Sequence, residues 1–208
     1  GETCTQYFFN SLDDIAKPNF EGAKYVYSPP VRDSSNWDVL WNAVRTDSLS
    51  VISTDHCAFL WEGQKTLGKD DFSKIPNGGP GLEDRLKMIH EFGVRAGRLS
   101  LNRMVELLAT NPAKLFGLYP RKGTVAVGSD ADLVIFDPEK EVTISASSHH
   151  SKSDYSLYEG TTVTGAPEVV LLRGHVLVEN DELVASPGVG QFVKRARSGE
   201  ELTARQAV

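Results

Sequence analysis

An aspartate followed by a histidine and a cysteine, Asp55-His56-Cys57, stands directly after the apolar and β-branched run Leu49-Ser50-Val51-Ile52-Ser53-Thr54. A carboxylate at the end of a buried strand can ligate a metal or act as a general base, because loops at strand ends vary on a rigid frame. Aspartate also caps turns by hydrogen-bonding its own backbone, and on these residues alone that is the plainer reading. His56 and Cys57 are ligand types too, but three adjacent residues rarely reach one ion, which argues against a zinc knuckle. Ser28 precedes Pro29-Pro30 at a second strand-like end and reads equally as a turn residue. Asn77-Gly78-Gly79-Pro80-Gly81 offers backbone amides and carbonyls, since glycine permits close approach. That suits a planar amide held by main-chain hydrogen bonds, and it also suits a plain flexible loop. No Gly-Lys-Ser/Thr follows, so it is not a phosphate loop. His149-His150 placed on a strand would point its rings to opposite faces, which disfavours joint ligation, and His90 and His175 read as structural. There is no Gly-x-Ser-x-Gly elbow and no arrangement that would make a cysteine nucleophilic.

Elements must position these groups. Residues 23–27 have strand-forming content and stop at Ser28-Pro29-Pro30. Apolar positions 37, 40, 41 and 44 recur at helical spacing, with Ser35 or Asn36 as N-cap. Strand, helix and the strand 49–54 make the repeating unit of an α/β fold with parallel strands. Residues 61–81 form a long polar, glycine-rich loop, and such loops are functional or disordered. Helices are expected over 82–93 and 100–110, with a short one opening at Asn111-Pro112 and ending at Gly117. From Gly123 the period changes to strands: 124–127, 133–136, 141–145, 161–164, 169–172 and 175–178, with Arg173-Gly174 as a hairpin turn. The expected organisation is therefore 1–118 as an α/β unit holding the loop 61–81, 119–184 as a β unit, and 185–208 as an extended arm.

Bulk properties narrow the function classes. The net charge of -6 over 208 residues gains nothing from a phosphate field, so no nucleic-acid partner is expected. No apolar run approaches bilayer length, so no membrane role is expected. Two cysteines make no disulfide framework, which points to a reducing, cytoplasmic setting. The start at Gly1-Glu2-Thr3-Cys4 carries no secretory signal and reads as a cut through a longer chain.

Several motifs in order resemble the hydantoinases and dihydropyrimidinases, cyclic amidohydrolases of the amidohydrolase superfamily. They are Gly1-Glu2-Thr3-Cys4, Tyr25-Val26-Tyr27-Ser28-Pro29-Pro30, Ser53-Thr54-Asp55-His56-Cys57, Gln64-Lys65 with Gly68-Lys69-Asp70-Asp71-Phe72, and Ile75-Pro76-Asn77-Gly78-Gly79-Pro80-Gly81 with Glu83-Asp84-Arg85. Asn111-Pro112-Ala113-Lys114-Leu115-Phe116-Gly117 follows, and Gly128-Ser129-Asp130-Ala131-Asp132 is shared more widely in the superfamily. The resemblance covers residues 1 to about 195 and implies the C-terminal part of a (β/α)8 TIM-like barrel followed by part of a β-sandwich. It implies hydrolysis of the cyclic amide bond of hydantoins or dihydropyrimidines, opening the ring to an N-carbamoyl amino acid. It implies two zinc ions bridged by a carboxylated lysine outside this chain. Asp55 matches the metal-binding and proton-shuttling aspartate, and Ser28 and Asn77 match main-chain contacts to the cyclic ureide or imide substrate. A homotetramer is implied as well.

The departures restrict these expectations. The His-x-His pair, the lysine, two further histidines and the oxyanion-stabilising tyrosine of the family would lie upstream of Gly1, so the 208-residue chain by itself is expected to be inactive. Ala58 stands where relatives often carry proline, and Ser151-Lys152-Ser153 also differs from the commoner run. Two alternatives stand beside the enzyme reading. Dihydropyrimidinase-related scaffold proteins typically lose the metal aspartate and replace Asn77, whereas both residues are intact here. Allantoinases and dihydroorotases usually follow the aspartate with His-Ser-Pro or His-Ala-Pro.

Overall fold

A computed structural model describes residues 1–200. Two short strands, β1 (Glu2–Cys4) and β2 (Val51–Ser53), pair in parallel with Glu2 opposite Val51 and Cys4 opposite Ser53. The connection between them holds a one-turn helix, α1 (Leu12–Ile15), and the crossover helix α2 (Trp37–Arg45). Ser11 starts α1 with a reciprocal capping box: its hydroxyl accepts from Asp13 N, and its own N–H donates to Asp14 Oδ2 at 2.9 Å. Asp38 in the first turn of α2 and Arg45 in its last suit the helix dipole. Trp41 and Val44 are buried there, and the Trp41 ring lies 4.5 Å from Phe8. They join Ile52, Ile89, Leu99, Met104 and Leu107 in one core cluster.

The helix α3 (Arg85–Ile89) runs on as a wider turn to Arg95. The next, α4 (Leu101–Val105), is capped by Ser100 Oγ and continues through a similar wide stretch into α5 (Asn111–Leu115), where Pro112 occupies the first turn. The β unit is one antiparallel sheet in the order β3 (Leu133–Thr143), β4 (Thr162–Leu172), β5 (His175–Glu179), β6 (Glu182–Leu183). Arg173-Gly174 makes the β4–β5 turn with φ of 48° and 80°, the left-handed pair that a tight hairpin requires.

The α/β portion and the sheet share a core. Tyr25, Tyr27, Val31 and Met88 pack with Ile144, Tyr155, Leu157, Tyr158 and Val163. Polar contacts cross the same boundary: His90 Nδ1 lies 2.9 Å from Thr164 O, and Thr164 N donates to Glu91 Oε2 at 2.7 Å.

Several sequence expectations are corrected. Residues 23–27 are not a strand. Glu21–Tyr25 is a 3-10 helix entered through Phe20 at φ 68°, and its amides bond locally, Ala23 N to Phe20 O and Val26 N to Ala23 O. The strand paired with β2 is instead Glu2–Cys4. Residues 124–127 are not a strand either: Val125 and Val127 face solvent, and Ser129 N turns back to Ala126 O. The loop 61–81 holds two 3-10 turns, Lys65–Gly68 and Phe72–Lys74. His149 and His150 follow another such turn, and both rings turn toward one acidic pair rather than to opposite sides. At α2, Asn36 occupies the cap position without a side-chain bond, and Asp33 caps the turn just before it through Ser35 N. Residues 185–200 carry no helix or strand. They return to the end of α5, with Ala196 N bonded to Gly117 O at 2.8 Å. The remainder of the expected arm, 201–208, lies outside the described residues.

Candidate active site

Strand β2 delivers the central carboxylate. Two side chains hold its backbone, Thr5 Oγ1 donating to Ser53 O at 3.1 Å and Arg85 Nη1 to Ile52 O at 3.0 Å, while Cys4 Sγ lies 3.2 Å from the Ser53 side chain at Oγ. Burial holds the Arg85 guanidinium below its ordinary value. Two residues past the strand, Asp55 takes φ 47° and is exposed. Aspartate tolerates this left-handed geometry better than most residues. Burial raises the Cys4 thiol, against the hydrogen bond to Ser53, and the Asp55 carboxylate adds to the rise. Burial likewise pushes Tyr7 up to about 12, with smaller contributions from Cys4 and Asp55. Asp55 is therefore within electrostatic reach of both.

The glycine-rich segment docks directly beside it. His56 forms a parallel bridge with Gly79, and Cys57 N donates to Gly79 O at 3.3 Å. His56 Nδ1 accepts from two main-chain amides, Gly81 N and Leu82 N, each at 3.2 Å. An accepting ring nitrogen is the unprotonated one, so the ring proton sits on Nε2. Gly78 has φ 153°, and a Cβ built there would stand 2.3 Å from Cys57 O, so only glycine fits this approach. Residues 78–81 are buried, while Asn77 is left exposed at the tip.

The segment is also tied to the chain ahead of Ser28. Gly78 N donates to Val26 O at 3.1 Å, and Ser28 Oγ donates to Asn77 Oδ1 at 3.2 Å. Lys65 is fully buried and its ammonium donates to Val26 O at 2.9 Å and Pro76 O at 2.7 Å. Desolvation lowers it to about 8, with Cys57 acting weakly in the other direction. Tyr7 Oη donates to Pro29 O at 2.8 Å on the far side of the same turn. A groove of about 290 Å³ beside that turn is lined by Tyr7, Pro29, Pro30, Arg32 and Asn36, and touches neither Asp55 nor Asn77.

The structure thus brings Ser28 and Asn77 into direct contact and sets Asp55 one residue from the bridge that docks Asn77's loop. It does not assemble a metal centre: no group of three or more His, Cys, Asp and Glu among the described residues could hold an ion. Of the ligand types next to Asp55, His56 is engaged through its Nδ1 with the loop, and the Cys57 thiol is free and exposed. By donor chemistry these residues do not fit a metal on their own. Asp55 offers one carboxylate, and a bound ion needs several donors.

Sequence reasoning missed two residues. His56 read as a possible ligand and Lys65 only as part of a motif, yet both hold the loop. A lysine inside a polar loop gives no sign of burial. The signal lies in its setting between Val26 and Pro76, which only the folded chain reveals.

Just beyond the loop, Glu83 and Asp84 fasten it to the β unit. Asp84, 1% exposed, meets His149 Nε2 at 3.0 Å, Lys87 Nζ at 3.0 Å and Ser156 Oγ at 3.2 Å. Glu83 accepts from His150 N and Ser151 N at 2.9 and 2.6 Å. Burial alone would raise the Asp84 carboxyl, but the hydrogen bond from His149 and the charge of Lys87 hold it below its ordinary 3.8. The hydrogen bond to Asp84 holds His149 above its ordinary 6.5, against the opposing effect of burial.

Comparison with known proteins adds an independent line. The model of the amidohydrolase family matches residues 17–177. The chain is 53% identical over 196 residues to a D-hydantoinase of Rhizobium radiobacter, covering 94% of this chain and 43% of that protein. A D-hydantoinase of Geobacillus stearothermophilus is also 53% identical, over 96% of this chain and 42% of its own length. A crystal structure of a D-hydantoinase superposes with a TM-score of 0.94 at 52% identity, over 96% of this chain and 44% of that one. The chain spans less than half the length of each of these relatives.

Proposed function

The chain belongs to the amidohydrolase family, and from that premise we propose that it serves a longer enzyme that hydrolyses the cyclic amide bond of hydantoins or dihydropyrimidines. The observation that carries the reading is the docking of the Asn77 loop on the strand end of Asp55, through the His56–Gly79 bridge and the Ser28–Asn77 hydrogen bond. It gathers a free carboxylate and main-chain polar groups at one edge, which is what a planar ureide ring needs. In this reading Ser28 and Asn77 hold the ring imide through their main chains. Asp55 accepts a proton from the attacking water as the oxygen–carbon bond forms. It then returns the proton to the ring nitrogen as the carbon–nitrogen bond breaks, leaving an N-carbamoyl amino acid.

Hydantoinases of this family are metal-dependent, and for the longer enzyme we take the metal to be zinc, two ions held largely by residues other than those described here. When bound, such ions would lower the pKa of a coordinated water. Of the residues in this chain, Asp55 would help to hold them. The parallel pair β1–β2 supports a (β/α)8 barrel portion over 1–118, and the antiparallel sheet supports a β-sandwich portion over 119–184, with 185–208 as the arm. No helix among the described residues is long and apolar enough to cross a membrane. A cytoplasmic homotetramer acting on small cyclic ureides is the corresponding proposal for setting and assembly.

The test is a chimera that joins the upstream portion of the Rhizobium radiobacter D-hydantoinase to this chain. The chimera hydrolyses hydantoin or dihydrouracil, and Asp55→Ala lowers kcat by about 10³-fold, within the range for loss of a general acid–base. The 208-residue chain alone shows no turnover. Turnover by the isolated chain, or full activity in the Asp55→Ala chimera, refutes the proposal.

A further inference from the structure

Segment 76–82 is held by two side chains from outside it, His56 and Lys65. His56 Nδ1 accepts from Gly81 N and Leu82 N, at the far end of the segment. Lys65 Nζ donates to Pro76 O at its near end and also to Val26 O, two residues before Ser28. Between these anchors, residues 78–81 are buried and Asn77 is exposed. A glycine-rich segment has many backbone conformations to lose, so it stays in one only if contacts hold it there. Both anchors bond to main-chain atoms, so they constrain the path of the backbone, whatever side chains it carries.

We propose that His56 and Lys65 are positioning residues, a two-point clamp that keeps the Asn77 main chain in register with Ser28 and Asp55. The clamp deepens the reading above and rests on it, because its functional effect requires the Asn77 backbone to bind substrate. Releasing it lowers the fraction of molecules whose loop is competent to bind, and weakened binding scales with that fraction. Asp55 enters from β2, which has its own anchors, so the chemical step is spared. The signature is therefore a rise in KM with kcat retained.

The test uses His56→Ala and His56→Asn. The Asn Oδ1 lies where His Nδ1 does and can still accept from the two amides, whereas Ala offers no acceptor. In the chimera, His56→Ala raises KM about tenfold, the effect of losing two main-chain hydrogen bonds, with kcat within about two-fold. His56→Asn brings KM back to within about three-fold of the unsubstituted chimera. An unchanged KM in His56→Ala, a fall in kcat alone, or no rescue by His56→Asn overturns the proposal. Amide hydrogen exchange on the 208-residue chain reads the clamp without any activity. Gly81 and Leu82 exchange faster in His56→Ala and at the native rate in His56→Asn, while equal rates in all three chains overturn it. If the unsubstituted chimera hydrolyses no cyclic ureide, the functional reading fails while the exchange data still decide the clamp.

Discussion

Replacing Asp84 by alanine should cost the chain about 3–5 kcal/mol of stability, the range for removing one partner of a buried ion pair. The figure follows from what surrounds the carboxylate. Asp84 is 1% exposed and its side chain meets three donors, His149, Lys87 and Ser156. The Lys87 side chain is 15% exposed and regains some water, so its loss is discounted. His149, with a 6% exposed side chain, and buried Ser156 do not. Two buried donors without an acceptor, at about 1–3 kcal/mol each, account for most of the range. Urea unfolding of the 208-residue chain at neutral pH, followed by circular dichroism and tryptophan fluorescence, measures it. The wild type should also show the linkage in its pH dependence. His149 has a raised folded value, so its contribution is full below its ordinary 6.5 and is lost as pH rises through the folded value. Asp84 has a lowered folded value, so its contribution is present above its ordinary 3.8 and is lost as pH falls through the folded value. Stability therefore peaks between the two, and Asp84→Ala flattens both flanks. A loss below about 1 kcal/mol, the size of an exposed pair, would refute the reasoning.

Other perturbations follow from the same geometry. Gly78→Ala places a Cβ 2.3 Å from Cys57 O at φ 153°, so the loop must shift. It costs about 1–3 kcal/mol, and faster exchange of the Cys57 amide, which donates to Gly79 O, checks it. Leu107→Ala empties a fully buried position among Phe8, Trp41, Ile52 and Met104. The expected loss is about 2–5 kcal/mol by denaturant unfolding, whereas a loss near zero would mean that the cluster is not packed as described.

Much of the framework is legible along the chain. The 3.6-residue spacing of positions 37, 40, 41 and 44 marks α2, and Trp41 and Val44 are indeed buried. Asn111-Pro112 opens α5, and Gly117 follows its end at φ 65°. The antiparallel β unit announces itself by period and by the Arg173-Gly174 turn. Failures fall where a local pattern lacked the partner it needed. Residues 23–27 have strand composition, but Phe20 turns the chain left-handed and the amides close local turns. Residues 124–127 alternate correctly with no neighbouring strand to pair with.

The site divides in the same way. Asp55, Ser28 and Asn77 could be singled out because residue type and motif order are properties of the sequence itself. Their mutual placement was not readable, because contacts between residues 28, 56, 65 and 77 depend on how the backbone closes through space. His56 as an acceptor for two loop amides, Lys65 as a buried tie between two carbonyls, and His149 bound to Asp84 are decisions of the tertiary structure. Burial removes water as a competing partner, so each of these polar groups must bond to whatever the fold brings within reach.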